Sequence, residues 1–323
     1  MIPYYQPIVD SKTNYTYSID NVVIKGKIYY DASDLFQELL TWLSRRVDLD
    51  YTYFETGAFA SYRYQFNFQL DTGRSFFLGV GFNGSRGVDS YIGLDFNPNK
   101  VMEYGDFVEV FNYVISLCKP VIKRFDLAID IPVLRSNIFM LKDRRKITAD
   151  QEDPFVDIRN SWEDHTCYLG RRSNPGYVKL YNKQRESKLN TPMTRLELTL
   201  PPALKLEEKY IPQVRYFNDL QMVFNELKMT GTDRVLLMAC IDDPQLLNML
   251  SGGNAKSKRA KIKAILDQYT HQVEINKDIY DQIIEQVWQY CKPLDTSEFY
   301  KSPWDVKKKL HELDSWNFDE IEV

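Results

Sequence analysis

A chain of 323 residues, 44% hydrophobic and 27% charged, is long enough for two domains or for one large domain with a buried core. Its longest apolar runs, such as "RVLLMACI" and "VISLC", fall far short of the roughly 18 residues a membrane span needs, and the start "MIPYYQPIVDSK" lacks the basic head and apolar core of a secretory signal, so a cytoplasmic protein is expected. A net charge of −4 argues against a generally basic nucleic-acid binder, and four cysteines (Cys118, Cys167, Cys240, Cys291) without a CxxC pair suggest buried thiols rather than disulfides or a thiolate zinc site.

Up to about residue 200 the chain reads mostly as strands with two helices. The β-rich segments are "NVVIKGKIYY" (21–30), "AFASYRYQFNFQL" (58–70), "SFFLGVGF", "SYIGLDFN", "VIKRFDLAIDI", "HTCYLG", "YVKLYN" and "TRLELTL", divided by Gly, Asn and Pro turn signals. The first helix is expected to follow Ser33 or Asp34 as its cap and to align Leu35, Leu39, Trp42 and Leu43. The second carries Phe107, Val108, Phe111, Val114, Ile115 and Cys118 as an apolar stripe, with Pro120 just past its end. From Pro201 helical spacing replaces alternation, through "VRYFNDLQMVFNELK", "DRVLLMAC", "KRAKIKAILDQY", "DIYDQIIEQVWQYC" and "SPWDVKKKLHEL", the last opened by Ser302 and Pro303. The reading is therefore α+β: a sheet-containing domain over 1–200 and a helical region over 201–323. Within the latter, "KSKRAKIK" places Lys256, Lys258, Arg259, Lys261 and Lys263 together without an acid, either a solvated helix face or a phosphate-binding one.

Three strands carry acids where a half-buried sheet prefers apolar or neutral residues. Period two puts Asp126, Ala128 and Asp130 on one face of "RFDLAID"; Asp95 with Gly93 and Asn97 on one face of "YIGLDFN"; and Arg195, Glu197 and Thr199 on one face of "TRLELTL". If these strands are neighbours, about 4.8 Å apart, the carboxylates converge, and an oxygen-only set suits Mg²⁺ or Mn²⁺. The alternative is a set of solvated acids paired with Arg195, Arg124 or Lys179. In "GYVKLYNK" the same period groups Tyr177, Lys179 and Tyr181. A phenol can attack a phosphodiester and, with a pKa near 10, leave again when the strand is resealed, while Lys179, Lys183 or Arg185 could neutralise the phosphate. A tyrosine that only packs is the competing reading, and spacing alone does not choose between Tyr177 and Tyr181.

Four segments in order, "LDFNPNK", "KRFDLAID", "YLGRRSNPGYVKLYNKQRE" and "TRLELTL", resemble the Rep_trans rolling-circle replication initiators of small plasmids of Gram-positive bacteria, which have relatives on phages and integrative elements. The likeness runs over about Asn21 to Leu200. "GGNAKSKRAKIKAILDQ" (near 253–268) resembles the family's basic origin-recognition segment.

The resemblance implies a metal-dependent DNA nicking and closing enzyme with an HUH-like, topologically rearranged antiparallel sheet. Tyr181 of the "YNK" motif would be the nucleophile joined to the DNA 5′ phosphate, assisted by Lys179. Asp95, which stands where the family usually has glutamate, would hold the Mg²⁺ or Mn²⁺ with Asp126 and Glu197; Asp130 would lie behind them or join them, and Tyr177 would be a neighbour or, in place of a second copy of Tyr181, a reserve nucleophile. Arg171, Arg172 and Lys183 would join the five basic residues of 256–263 in contacting DNA. The resemblance also implies origin DNA with a single-stranded nick site, a homodimer and a host UvrD-type helicase as partners. The chain has only His165, His271 and His311, with no His-x-His pair, so a carboxylate set would have to replace the usual HUH metal site. Two other readings fit the sequence: a conjugative relaxase, and a sequence-specific DNA-binding protein that kept the fold without the chemistry.

Overall fold

The computed structural model describes residues 5–28, 31–46, 49–56, 62–71, 73–82, 91–140, 146–148, 151–152, 155–159, 165–172, 174–201, 206–242 and 249–290. The helix expected after Ser302, the acidic tail beyond Lys309, and Cys291 lie outside them. Among the described residues the chain is a mixed α/β protein with antiparallel sheet and eight helices. No described helix is long and apolar enough to cross a membrane. Chain contacts divide it into two units. The first comprises Ile19–Phe125 with stretches from both chain ends, and the second comprises Pro7–Ser18 and Asp126–Ile283. The boundary expected at residue 200 falls inside the second.

In the first unit the strand Thr16–Lys27, from Ile19 onward, is followed across the sheet by Tyr91–Phe96, Arg74–Phe82, Tyr62–Asp71 and Asp50–Glu55. Alternation explains why it is one-sided. Tyr62, Tyr64, Phe66 and Phe68 are buried, while Arg63, Gln65, Asn67 and Gln69 are not. The helices Ala32–Leu43 and Gly105–Ser116 cover the apolar face with aromatic contacts: Phe36 stacks on Tyr64 at 4.2 Å, and Phe107 meets Phe76 at 5.0 Å and Phe96 at 4.9 Å. Each such buried ring contributes roughly 1.5–3 kcal/mol.

Two local expectations change. The first helix is capped by Asp31, whose carboxylate accepts the Ser33 amide proton at 2.8 Å, so Ser33 and Asp34 fall in its first turn. Leu35, Leu39 and Leu43 are buried as the spacing requires, and Trp42 instead stacks on Tyr113 at 4.3 Å. The second helix ends at Ser116, short of Cys118, and Pro120, past its end as expected, is the second residue of the strand Lys119–Ile131.

The second unit holds the strands Phe155–Arg159, His165–Leu169, Val178–Asn182 and Thr194–Leu200 in spatial sequence, with Asp126–Ile131 beside the last. Beyond Pro201 helices do dominate: Leu220–Glu226, Gly231–Asp242, Ala255–Tyr269 and Lys277–Gln289. The first part of "VRYFNDLQMVFNELK" is nevertheless a strand, Val214–Phe217, pairing with Ile138–Met140 on one side and Thr270–Gln272 on the other. Asp219 stops it by capping the next helix, accepting the Met222 amide proton at 3.0 Å. Phe139 and Phe217 of this small sheet share a core with Leu220, Val223, Leu237, Ile262 and Ile265.

Candidate active site

Val178–Asn182 lies between two antiparallel partners, and its register with Thr194–Leu200 fixes the site. Lys179 is directly opposite Glu197 and Tyr181 directly opposite Arg195, while Val178 and Leu180 face Leu198 and Leu196 in the core. All four polar side chains therefore stand on one face. The Tyr181 hydroxyl donates to Glu197 Oε1 at 2.7 Å, and Lys179 Nζ lies 3.7 Å from Glu197 Oε2 and 3.9 Å from the Tyr181 ring centroid. Glu197 is thus shared between a phenol and an ammonium group.

A second carboxylate reaches Tyr181 from a place the spacing did not predict. Asn182 caps the short helix Lys183–Glu186, accepting the Arg185 amide proton at 2.9 Å, and this turn brings Glu186 back over the strand. Its Oε2 lies 3.3 Å from the Tyr181 hydroxyl and 2.5 Å from Lys183 Nζ. The asparagine cap of "YNKQRE" was the sequence signal for this fold-back. Lys183 is accordingly engaged by Glu186. Asp130, for its part, receives both Nε and Nη2 of Arg195 at 2.6 and 2.7 Å, a bidentate pair largely shielded from solvent. Asp130 therefore bears on Tyr181 only through Arg195.

These neighbours set the electrostatics. Tyr181 is only 6% exposed. Burial, then the adjacent Glu197 charge and hydrogen bond, raise its phenol well above the ordinary value; Arg195 opposes them and Glu186 adds to them. At neutral pH the phenol keeps its proton, and Glu197 is the acceptor placed to take it. Burial works against ionisation of Glu186, but the hydrogen bond and charge of Lys183 outweigh it and hold that carboxyl below its usual range.

Upstream, Gly170 and Gly176 close the loop that carries exposed Arg171 and Arg172. Both have φ near +90° (87° and 88°), and a Cβ on Gly170 would come within 3.2 Å of the Gly176 carbonyl oxygen. The Gly176 amide donates to Thr199 O at 2.7 Å, extending the ladder past Val178 and presenting Tyr177 on the face of Lys179 and Tyr181. Tyr177 lies nearly parallel to Tyr168, ring centroids 6.1 Å apart. Its phenol is raised by burial first, then by Tyr168, with Arg172 opposing and Glu197 and Asp126 adding smaller effects.

Asp95 belongs to the first unit, on the strand Tyr91–Phe96. Its strand is flanked by Thr16–Lys27 and Arg74–Phe82, so the adjacency to the Asp126 strand on which convergence depended does not hold for it. Burial raises its carboxyl above the ordinary value, with a hydrogen bond from Asn21 and the charge of Arg124 opposing. Among the described residues, no group of three or more His, Cys, Asp or Glu side chains is placed to hold a metal ion. Of the acids expected there, Glu197 is in contact with Tyr181 and Lys179, Asp130 with Arg195 and Asp95 with Asn21, while Asp126 keeps its Oδ1 fully buried.

His165 is buried and structural, its carbonyl oxygen accepting from Nε of the buried Arg135 at 2.8 Å. Lys256, Lys258, Arg259, Lys261 and Lys263 are all exposed on the helix Ala255–Tyr269, whose Ile262 and Ile265 are buried. Helical spacing puts Lys256 and Lys263 on the side away from those isoleucines and Arg259 on the flank, where it donates to the Leu250 carbonyl oxygen, and Lys261 is engaged by Asp233 at 2.7 Å.

No sequence profile of a protein family and no curated protein matches the chain. Among solved structures, it is similar to one described as a rolling circle replication initiator protein from Geobacillus stearothermophilus, at 12% identity and a TM-score of 0.32, over 84% of this chain and 96% of that one. A likeness of that size carries neither a fold nor a function.

Proposed function

We propose that this protein is an origin-specific DNA nicking and closing enzyme that starts rolling-circle replication, with Tyr181 as its nucleophile. The observation that carries the reading is the 2.7 Å hydrogen bond from the Tyr181 hydroxyl to Glu197, with Lys179 beside both, in the "YNK" segment that resembles the Rep_trans motif. In the step proposed, Tyr181 Oη attacks the scissile phosphorus as its proton passes to Glu197. The P–O3′ bond breaks, leaving a 3′-hydroxyl once protonated and a 5′-phosphotyrosyl bond that conserves the energy of the linkage. Resealing is the reverse: the 3′-oxygen attacks the phosphotyrosine, and the phenolate leaves and recovers its proton.

Burial keeps water from the nucleophile and makes the phenoxide a strong base once formed. Lys179 is the cation placed to offset phosphate charge. Arg195, fixed by Asp130, orients and polarises the phenol from the opposite strand. The exposed side of Ala255–Tyr269, with Lys256 and Lys263 foremost, would contact duplex phosphates of the origin. Arg171 and Arg172 would do the same for the strand being cut. Asp126 and Glu197 of the second unit are the acids that would hold Mg²⁺ or Mn²⁺, which would polarise the scissile phosphate. The HUH-like topology, homodimer and UvrD-type helicase belong to the same proposal, through the resemblance.

A second reading, a DNA-binding protein without the chemistry, is favoured by the contacts that already occupy Glu197 and Asp130. The two readings separate in one assay. Wild type, given a supercoiled plasmid carrying its own origin with Mg²⁺ or Mn²⁺, is expected to yield relaxed circles, and Tyr181→Phe to bind the origin and relax none. Unchanged relaxation by Tyr181→Phe moves the nucleophile elsewhere; origin binding by wild type without relaxation leaves only the second reading.

A further inference from the structure

Tyr168 and Tyr177 are diagonal neighbours on the antiparallel pair His165–Leu169 and Val178–Asn182, since Tyr168 is directly opposite Lys179. Both rings are half-buried, so each is anchored on the sheet and keeps part of its surface in solvent. Their planes differ by only 18° with centroids 6.1 Å apart, which gives two aligned aromatic surfaces rather than an edge-to-face pair. The surroundings are cationic where a nucleic acid would approach. Lys179 stands next to both on the same face, and exposed Arg171 and Arg172 rise from the loop joining the two strands. The acids there, Glu197 and Asp126, are only partly exposed, and Glu197 faces Lys179. Tyr181 follows Tyr177 by four residues on the same face, about 13 Å along the strand.

We infer that Tyr168 and Tyr177 form a stacking platform for unpaired bases of single-stranded DNA, which positions the strand so that a phosphate a short distance along reaches Tyr181. The inference rests on the nicking reading for its purpose but not for its binding. A base stacks on a tyrosine face whatever its identity, while Lys179, Arg171 and Arg172 hold the backbone. Tyr177 is thereby a positioning residue and not a reserve nucleophile, which accounts for its lying against Tyr168 instead of against a carboxylate acceptor.

The test uses the full chain and (dT)12 oligonucleotides carrying a single 5-iodouracil at successive positions, which cross-links on irradiation to the aromatic side chain it stacks upon. Cross-links mapped by mass spectrometry are expected on Tyr168 or Tyr177. Tyr168→Leu and Tyr177→Leu are each expected to weaken (dT)12 binding roughly tenfold. Tyr168→Phe and Tyr177→Phe, which keep the ring, are expected to bind like wild type, and their melting temperatures check that the sheet is intact.

Cross-links confined to other residues overturn the platform, as does unchanged binding in the leucine variants or a loss in the phenylalanine variants equal to theirs. Failure of the nicking reading looks different: no phosphotyrosyl adduct at Tyr181 while these cross-links persist. A Tyr181 adduct without the cross-links keeps the enzyme and removes the platform.

Discussion

Glu197 and Asp95 are each the single acid on the polar face of a strand whose other face is apolar, and read along the chain they are interchangeable. Their surroundings are not. Glu197 has Lys179 directly across the ladder and the Tyr181 hydroxyl at 2.7 Å, so a proton acceptor, a phenol and an ammonium group meet at one point. Asp95 has Val23 and Phe77 across its two ladders, with Asn21 and Arg124 acting on its carboxylate. Close by, the Tyr62 ring lies over the paired glycines Gly79 and Gly93, and its phenol is raised by burial first and by Asp95 second. The two acids thus differ in how they meet a buried tyrosine: Glu197 accepts a hydrogen bond from Tyr181, whereas Asp95 raises the Tyr62 phenol through its charge. The lesson is that a strand's own pattern fixes which face an acid occupies, whereas cross-strand register decides whether it has chemistry to do.

Glu197→Gln should lower the rate of nicking by about a hundredfold or more, the usual size of a lost general base, while Asp95→Asn should leave the rate near that of wild type. Single-turnover cleavage of an origin plasmid measures both, and equal losses would return Asp95 to the reacting centre. Next is stability. A Cβ on Gly79 would lie 2.3 Å from Tyr62 Cγ, at the root of a ring that has little room to move. Gly79→Ala should therefore cost about 1–3 kcal/mol in urea unfolding through overpacking. That cost should vanish in a Tyr62→Ala background, where the clash is gone, and a cost that persists there would have another origin.

The smallest effect is a difference of sign with pH. Asp95 has a raised folded-state pKa, so the folded state binds its proton more readily and stability falls as pH rises from the ordinary 3.8 through the folded value. Glu186 has a lowered one, so its contribution is present above the ordinary 4.5 and is lost as pH falls through the folded value. Asp95→Asn should remove a decline in stability with rising pH, and Glu186→Gln should remove a rise. Urea midpoints between about pH 3 and 7 read both, and slopes of the same sign would contradict the environments described.

Much of the candidate site was legible because alternation has a period of two. The grouping of Tyr177, Lys179 and Tyr181, and of Arg195 with Glu197, needs only the strands to exist, and both pairs do share a face. What could not be read was the partner of each strand. Nothing in "YIGLDFN" says that its neighbours are Thr16–Lys27 and Arg74–Phe82 rather than the strand of Asp126, because pairing is set by the whole sheet. Glu186 was missed because it arrives through a single helical turn, too short for periodicity, and only the Asn182 cap announces it. Val214–Phe217 was read as helix because its four residues run into a real helical pattern. Its partners lie more than fifty residues away on either side, beyond the reach of local propensity.

Everything proposed for this protein turns on Tyr181, with Glu197 as its proton acceptor, being the group that joins DNA. The most direct test is to trap the product of wild-type protein on its own origin DNA, digest protein and DNA, and locate the phosphorylated nucleotide by mass spectrometry. A 5′-phosphonucleotide is expected on the phenol of Tyr181 and on no other tyrosine, Tyr177 and Tyr62 included. An adduct on another residue, or none where the origin is demonstrably bound, would contradict it.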